Sequence, residues 1–118
     1  MNTNDEKIKL IADAANRAKG YLATADSAPV FPSEDAIAAL SQFGETLPEG
    51  STDADLVLAQ LDDVGSPASV RATKGRYFGF VNGNSEPIGT AAMMLATAWD
   101  QNLGMPVMAP AAAHLDSI

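Results

Sequence analysis

The stretch GRYFGFVNGN, Gly75 to Asn84, decides how this chain is to be read, because it packs three aromatics, three glycines and two asparagines into ten positions. The rest of the chain reads as polar, alanine-rich helix. Such a segment suits a hairpin, an anion-binding loop or one wall of a pocket. Asn82-Gly83 signals a hairpin when alternating strands flank it, but only Tyr77, Phe78, Phe80 and Val81 suit a strand, and helical patterning begins after Asn84. The expectation is therefore a strand-to-helix turn, with Gly83 at positive φ and Asn82, Asn84 or Ser85 capping the helix. A strand would put Phe78 and Phe80 on one face and Tyr77 and Val81 on the other, so that one aromatic set lines a cavity. Glycines before a helix can cradle an anion, yet the spacing matches neither G-x-G-x-x-G nor a P-loop. Arg76 reads as a surface ion pair rather than an anion ligand.

Downstream, Ser85 reads as a cap and Pro87 as a first-turn proline. Ile88, Ala91, Ala92, Leu95 and Trp99 then recur at helical spacing, and the helix is expected to stop near Asn102-Leu103-Gly104. Residues 105–109, MPVMA, read as extended, and Pro110 starts a further short helix.

Upstream, a first helix is expected from Asn4 to about Ala25. Ile8, Ile11, Ala15, Ala18 and Leu22 draw a narrow stripe along it, and Asp5 and Glu6 suit its positive end. The stripe fits a helix lying on its own domain or an arm packed on another subunit. Ala28-Pro29-Val30-Phe31-Pro32-Ser33 is extended, with Ser33 capping a helix from Glu34 to Phe43 that presents Ile37, Leu40 and Phe43. Leu47 to Ser51 breaks the chain. In a third helix, Thr52 and Asp55 make a capping-box-like start and Gly65 before Ser66-Pro67 a stop. Leu56, Leu58, Leu61 and Val64 supply its apolar face, and Asp53, Asp55, Asp62 and Asp63 read as its solvated side. Adjacent Asp62 and Asp63 diverge by about 100° on a helix, so they read as structural rather than as a shared proton or metal site.

The 118 residues suffice for one small domain, but much of the 47 % hydrophobic content is alanine, which limits the core area available. A net charge of -8 and a pI near 4.3 oppose binding to nucleic acid or an anionic membrane surface. Without cysteine there is neither a disulfide framework nor a thiolate metal site, and the one histidine, His114, reads as packing or surface. The polar, acidic start lacks the pattern of a secretory signal, no stretch has the length of a membrane span, and a cytoplasmic location is expected.

The run Arg76-Tyr77-Phe78-Gly79-Phe80-Val81-Asn82-Gly83-Asn84, then Pro87, Leu95-Ala96-Thr97-Ala98-Trp99-Asp100-Gln101-Asn102 and Ala109-Pro110-Ala111-Ala112-Ala113-His114-Leu115-Asp116, resembles the N-terminal part of the group II pyridoxal-phosphate-dependent amino-acid decarboxylases. Pro29-Val30-Phe31-Pro32 and Leu47-Pro48-Glu49 agree with the bacterial branch of that family. The resemblance covers essentially the whole chain, and residues 75–102 carry it. It implies a mainly α segment of a fold-type I enzyme whose full-length relatives are α/β. Residues 1–74 would be a helical arm embracing the other subunit of a homodimer, and 75–118 the aromatic and glycine substrate loop with the helix behind it and the start of another.

The resemblance also implies that Phe80, Asn82 and Gly83 face an amino-acid substrate and that Met105 and Val107 lie near the dimer contact by the active site. Three places depart from the family pattern: Ala109-Pro110-Ala111 where Ser-Pro-Ala is frequent, Asp116 for glutamate, and Met105-Pro106 where larger groups are common. They leave the amino acid unspecified.

The family's reaction needs a lysine that holds pyridoxal phosphate as a Schiff base and an aspartate that keeps the pyridine nitrogen protonated. The lysine follows a histidine in relatives. Here Lys7, Lys9, Lys19 and Lys74 follow Glu6, Ile8, Ala18 and Thr73. The expectation is an N-terminal fragment or one piece of a split decarboxylase, with no catalytic, cofactor-binding or metal residue of its own. A free-standing all-α dimerisation or binding module built on the arm is the competing reading.

Overall fold

A computed structural model describes residues 3–44, 46–73, 75–81, 85–101 and 105–118. The described residues are mainly helical and contain no strand: α1 spans Thr3–Ala23, α2 Glu34–Ala39, α3 Ala54–Gly65, α4 Pro87–Trp99 and α5 Pro110–Asp116. By contacts the chain divides into two units, Met1–Asn82 and Gly83–Ile118.

In the first unit, α1 starts with Asp5 and Glu6 in its first turn and packs on α3. Ser33 caps α2 by accepting from the Ala36 N–H at 3.2 Å. The expected single helix to Phe43 tightens into a 3₁₀ turn over Leu40–Phe43 and ends at Gly44, whose φ of 68° is open to glycine at little cost. Phe43 lies over Gly65, where a Cβ would sit 3.8 Å from its ring, and Gln60 Nε2 donates to the Gln42 carbonyl at 2.9 Å. These contacts fasten the 3₁₀ turn to α3.

Three expectations about α3 are corrected. Its cap is Asp53 rather than Thr52: the Asp53 carboxylate accepts from the Asp55 N–H at 3.1 Å and satisfies a donor that helix geometry leaves unpaired. Asp62 leaves the expected solvated side and is half-buried against Arg17 of α1, whereas the Asp55 side chain stays more exposed while pairing with Lys9. The chain leaves α3 at Ser66 with an αR backbone, so the stop comes from Pro67 rather than from a left-handed glycine.

The strand expected at Tyr77 to Val81 is also absent. Phe80 and Val81 have φ of 54° and 57°, in the left-handed region, and no described segment offers a ladder to pair their backbone. The alternation survives in part, with Tyr77 half-buried and Phe78, Phe80 and Val81 exposed. Tyr77 folds back over Gly79, where a Cβ would meet its hydroxyl at 2.9 Å, and its ring lies 6.4 Å from that of Phe31.

In the second unit, α4 begins with Pro87 at its first position and Glu86 as the residue before it, in place of the expected Ser85 cap. It ends at Trp99, where Asp100 takes the left-handed role with φ 50°; the expected stop at Asn102 to Gly104 lies outside the described residues. Residues 105–109 are a turn rather than extended, because the Met105 carbonyl accepts from the N–H groups of Met108 and Ala109 at 2.9 and 3.1 Å. Ala109 then leads into α5, with its carbonyl accepting from the Ala113 N–H at 2.9 Å.

The packing is thin. Val64 and Ala109 are the buried apolar residues among those described. One buried valine contributes on the order of 2 kcal/mol, whereas fixing each residue's backbone costs about 1–2 kcal/mol. Burial of this extent does not by itself stabilise the helices.

Candidate functional site

Two faces of α1 separate in the structure. Leu10, Asp13, Ala14, Arg17 and Tyr21 are half-buried, which marks the side that meets the rest of the first unit. The apolar stripe of Ile8, Ile11, Ala18 and Leu22 is exposed, with Ile8 at 67 %, Ile11 at 46 % and Leu22 at 52 %; Ala15 between them is half-buried. At about 100° per residue, the stripe is centred roughly 120° around the helix from the packed side. The chain's own domain therefore does not use it.

The stripe is nearly symmetric about Ala15: Ile8 and Leu22 each stand seven positions away. Two antiparallel copies crossing at Ala15 would set Ile8 of one against Leu22 of the other, with small side chains where the backbones come closest. This is the self-complementarity a two-fold interface requires.

The packed side is polar. Lys9 Nζ pairs with the Asp55 carboxylate. Arg17 Nε donates to Asp13 at 3.0 Å, its Nη1 donates to Asp62 at 3.2 Å, and Asp63 lies 3.5 Å from the same nitrogen. Ser66 Oγ donates to the other Asp62 oxygen at 2.5 Å. The adjacent pair Asp62 and Asp63 thus serves as a double anchor for one guanidinium. At the end of α1, Arg71 lies 3.6 Å over the Tyr21 ring and its Nη1 donates to the Tyr21 carbonyl at 2.6 Å. Arg76, expected as a surface ion pair, instead donates from Nη2 to the Asp26 carbonyl at 3.2 Å.

These contacts set the electrostatics. The Ser66 hydroxyl, with help from Arg17, holds the Asp62 carboxyl below its ordinary value of 3.8 against the opposing effect of desolvation. The Asp55 hydrogen bond raises Lys9 above 10.5, and Asp13 and Asp62 raise Arg17. A depressed carboxylate contributes stability above its unfolded pKa and loses it as pH falls through the folded value; a raised ammonium contributes below its unfolded pKa and loses it as pH rises through the folded one. The contact of α1 with α3 is thus expected to be constant across neutral pH, to weaken below pH 3.8, and to lose its Lys9 part above pH 10.5. Amide NMR shifts of residues 9–17 and 55–62 followed through a pH titration check this, and a transition between pH 5 and 8 would contradict it.

Of the residues implied to face substrate, Phe80 belongs to the first unit and is 88 % exposed on a left-handed turn, beside Phe78 at 91 %. Asn82 and Gly83 lie outside the described residues. Met105 and Val107 belong to the second unit and are exposed in the turn before α5. That second unit also holds α4, which is exposed at every position and apolar all round: Ile88, Leu95 and Trp99 share one side while Met93 and Met94 occupy others. A helix of this kind is normally surrounded by protein in its working state.

The described residues do not fit pyridoxal phosphate. Lys7 and Lys19 are exposed on α1, and Lys74 lies outside the described residues. Lys9 borders a cleft of about 480 Å³ that Glu6, Asp53 and Asp55 also line. These carboxylates repel a phosphate, and the pairing with Asp55 keeps the amine protonated when a Schiff base needs it neutral. A second cleft, of about 410 Å³, has Arg17 and Arg71 on its wall, but Arg17 is already occupied by three carboxylates and Arg71 by Tyr21. Among the described residues no group of His, Asp and Glu is placed to hold a metal ion, and no described helix is long and apolar enough to cross a membrane.

No protein-family model matches the chain, and neither a curated protein nor a solved structure matches it.

Proposed function

We propose that the chain works as a subunit-embracing arm and substrate-side wall of a pyridoxal-phosphate-dependent amino-acid decarboxylase in the cytoplasm, paired with a second copy of itself through α1. The observation that carries the reading is the exposed stripe of Ile8, Ile11, Ala18 and Leu22, which faces away from α3 and is symmetric enough to meet its own copy. The exposed aromatics Phe78 and Phe80, the second on a left-handed turn, support a role as a pocket wall. Left-handed backbone costs about 1–2 kcal/mol per residue, and such strain is characteristic of segments that a surrounding site holds in place. The resemblance of residues 75–102 to the decarboxylases supplies the chemical class.

In this reading the cofactor lysine, phosphate cradle and pyridine-nitrogen aspartate come from polypeptide other than residues 1–118. The 118-residue chain therefore carries out no decarboxylation alone. Incubation with pyridoxal phosphate followed by borohydride reduction and peptide mass spectrometry tests this. Scattered, substoichiometric labelling of surface lysines is expected, and stoichiometric labelling of a single lysine would overturn the assignment.

A further inference from the structure

We infer that α1 is an ionic strap: the stretch from Lys9 to Arg17 is clasped to α3 by charges that salt weakens, while its last turn is a fixed pivot at Tyr21. The inference is independent of the decarboxylase reading.

The clasp has two points in matching register. Lys9 and Arg17 stand about two turns apart on α1, and Asp55 and Asp62 about two turns apart on α3. Between them α1 buries no residue; Leu10 and Ala14 are only half-buried. The Lys9–Asp55 pair is exposed and the Arg17–Asp62 pair half-buried. An exposed pair is worth about 0–1 kcal/mol, and its attraction is screened as the Debye length falls from about 30 Å at 0.01 M salt to about 3 Å at 1 M, the half-buried pair being screened less. With little apolar burial behind it, the clasp dominates the docking of this stretch of the helix. The pivot differs in kind. Arg71 stacks on the Tyr21 ring and donates to the Tyr21 carbonyl, and its own N–H donates to the Val30 carbonyl at 2.9 Å. A stacked, hydrogen-bonded guanidinium responds less to screening than the exposed Lys9–Asp55 pair.

Salt should therefore swing the Lys9 end away from α3 about the Tyr21 end. The lever from residue 9 to residue 21 is about 18 Å at 1.5 Å per residue, so the clasp end should move by on the order of 10 Å for a swing of about 30°. The chain has no cysteine, which makes paired spin labels selective. Labels at Lys7→Cys and Val57→Cys report the clasp, and labels at Ala23→Cys and Thr73→Cys report the pivot, by double electron-electron resonance.

Raising NaCl from about 10 mM to about 1 M is expected to lengthen and broaden the clasp distribution while leaving the pivot distribution unchanged. Lys9→Gln with Arg17→Gln should give the open distribution at low salt. Lys9→Asp alone should also open the clasp-labelled chain, and adding Asp55→Lys to it should restore a narrow distribution, which a merely unfolded variant would not do. A clasp distance constant to 1 M NaCl would overturn the inference. So would the two pairs lengthening together, since the pivot would then not exist.

Discussion

Replacing Ile8, Ile11 and Leu22 together by aspartate is expected to turn an associating chain into a monomer while leaving α1 docked on α3. Each of these side chains contributes about 1.5–3 kcal/mol when fully buried, and each occurs twice in a two-fold contact. Even half of that per position, summed over three positions, lowers the association constant by on the order of 10³-fold. The added carboxylates repel across the seam and increase the loss. The stripe points roughly 120° away from the packed side, so the Lys9 and Arg17 contacts should persist. Sedimentation velocity reads the association and amide NMR reads the docking. Loss of both together would mean that the stripe holds the first unit's own fold, and persistence of the associated species would mean that another surface pairs the chains.

The second large effect is expected at Val64. At 8 % exposure it is the buried large apolar side chain of the first unit among those described, on the helix that packs against both α1 and the 3₁₀ turn. Val64→Asp places an unpaired carboxylate there. A buried charge without a partner costs several kcal/mol, more than the remaining half-buried contacts supply. Far-UV circular dichroism should show the first unit losing much of its helix, whereas Val57→Asp, on an exposed position of the same helix, should change little. Equal effects of the two substitutions would show that Val64 is not the centre of the unit.

Much of the helical plan was legible in the sequence because it is written locally. Proline at 87 and 110, Ser33 before a helical run, and the acidic first turn at Asp5 and Glu6 each act within four residues of themselves, and the structure uses all of them as read. The errors arose where a local signal competed with a distant partner. Tyr77 to Val81 has the composition of a strand, but a strand is made by its neighbour, and no described segment pairs with it. Asp55 and Asp62 look like surface charges until α1 arrives with Lys9 and Arg17, some 45 positions away in the chain. Their matching two-turn spacings were visible; that the two helices lie side by side was not. Thr52 and Asp53 compete for one cap, and only backbone geometry selects Asp53.

For the candidate site the split is the same. The stripe was legible from its spacing, and the structure adds which way it faces. Phe80 was legible as an unusual aromatic, and the structure adds its exposed left-handed turn. The Arg71 to Tyr21 contact was not legible at all, because a cation stacked on a ring 50 positions away leaves no periodic signal.

In the proposed pairing, α1 meets a second copy through its exposed stripe. Placing a photo-reactive benzophenone side chain at position 11 and irradiating the purified 118-residue chain tests that contact at the residue concerned. The prediction is a chain-to-chain adduct whose attachment point, by mass spectrometry, lies within residues 15–22 of the second copy's α1. A monodisperse, cooperatively melting monomer with no intermolecular adduct would contradict it.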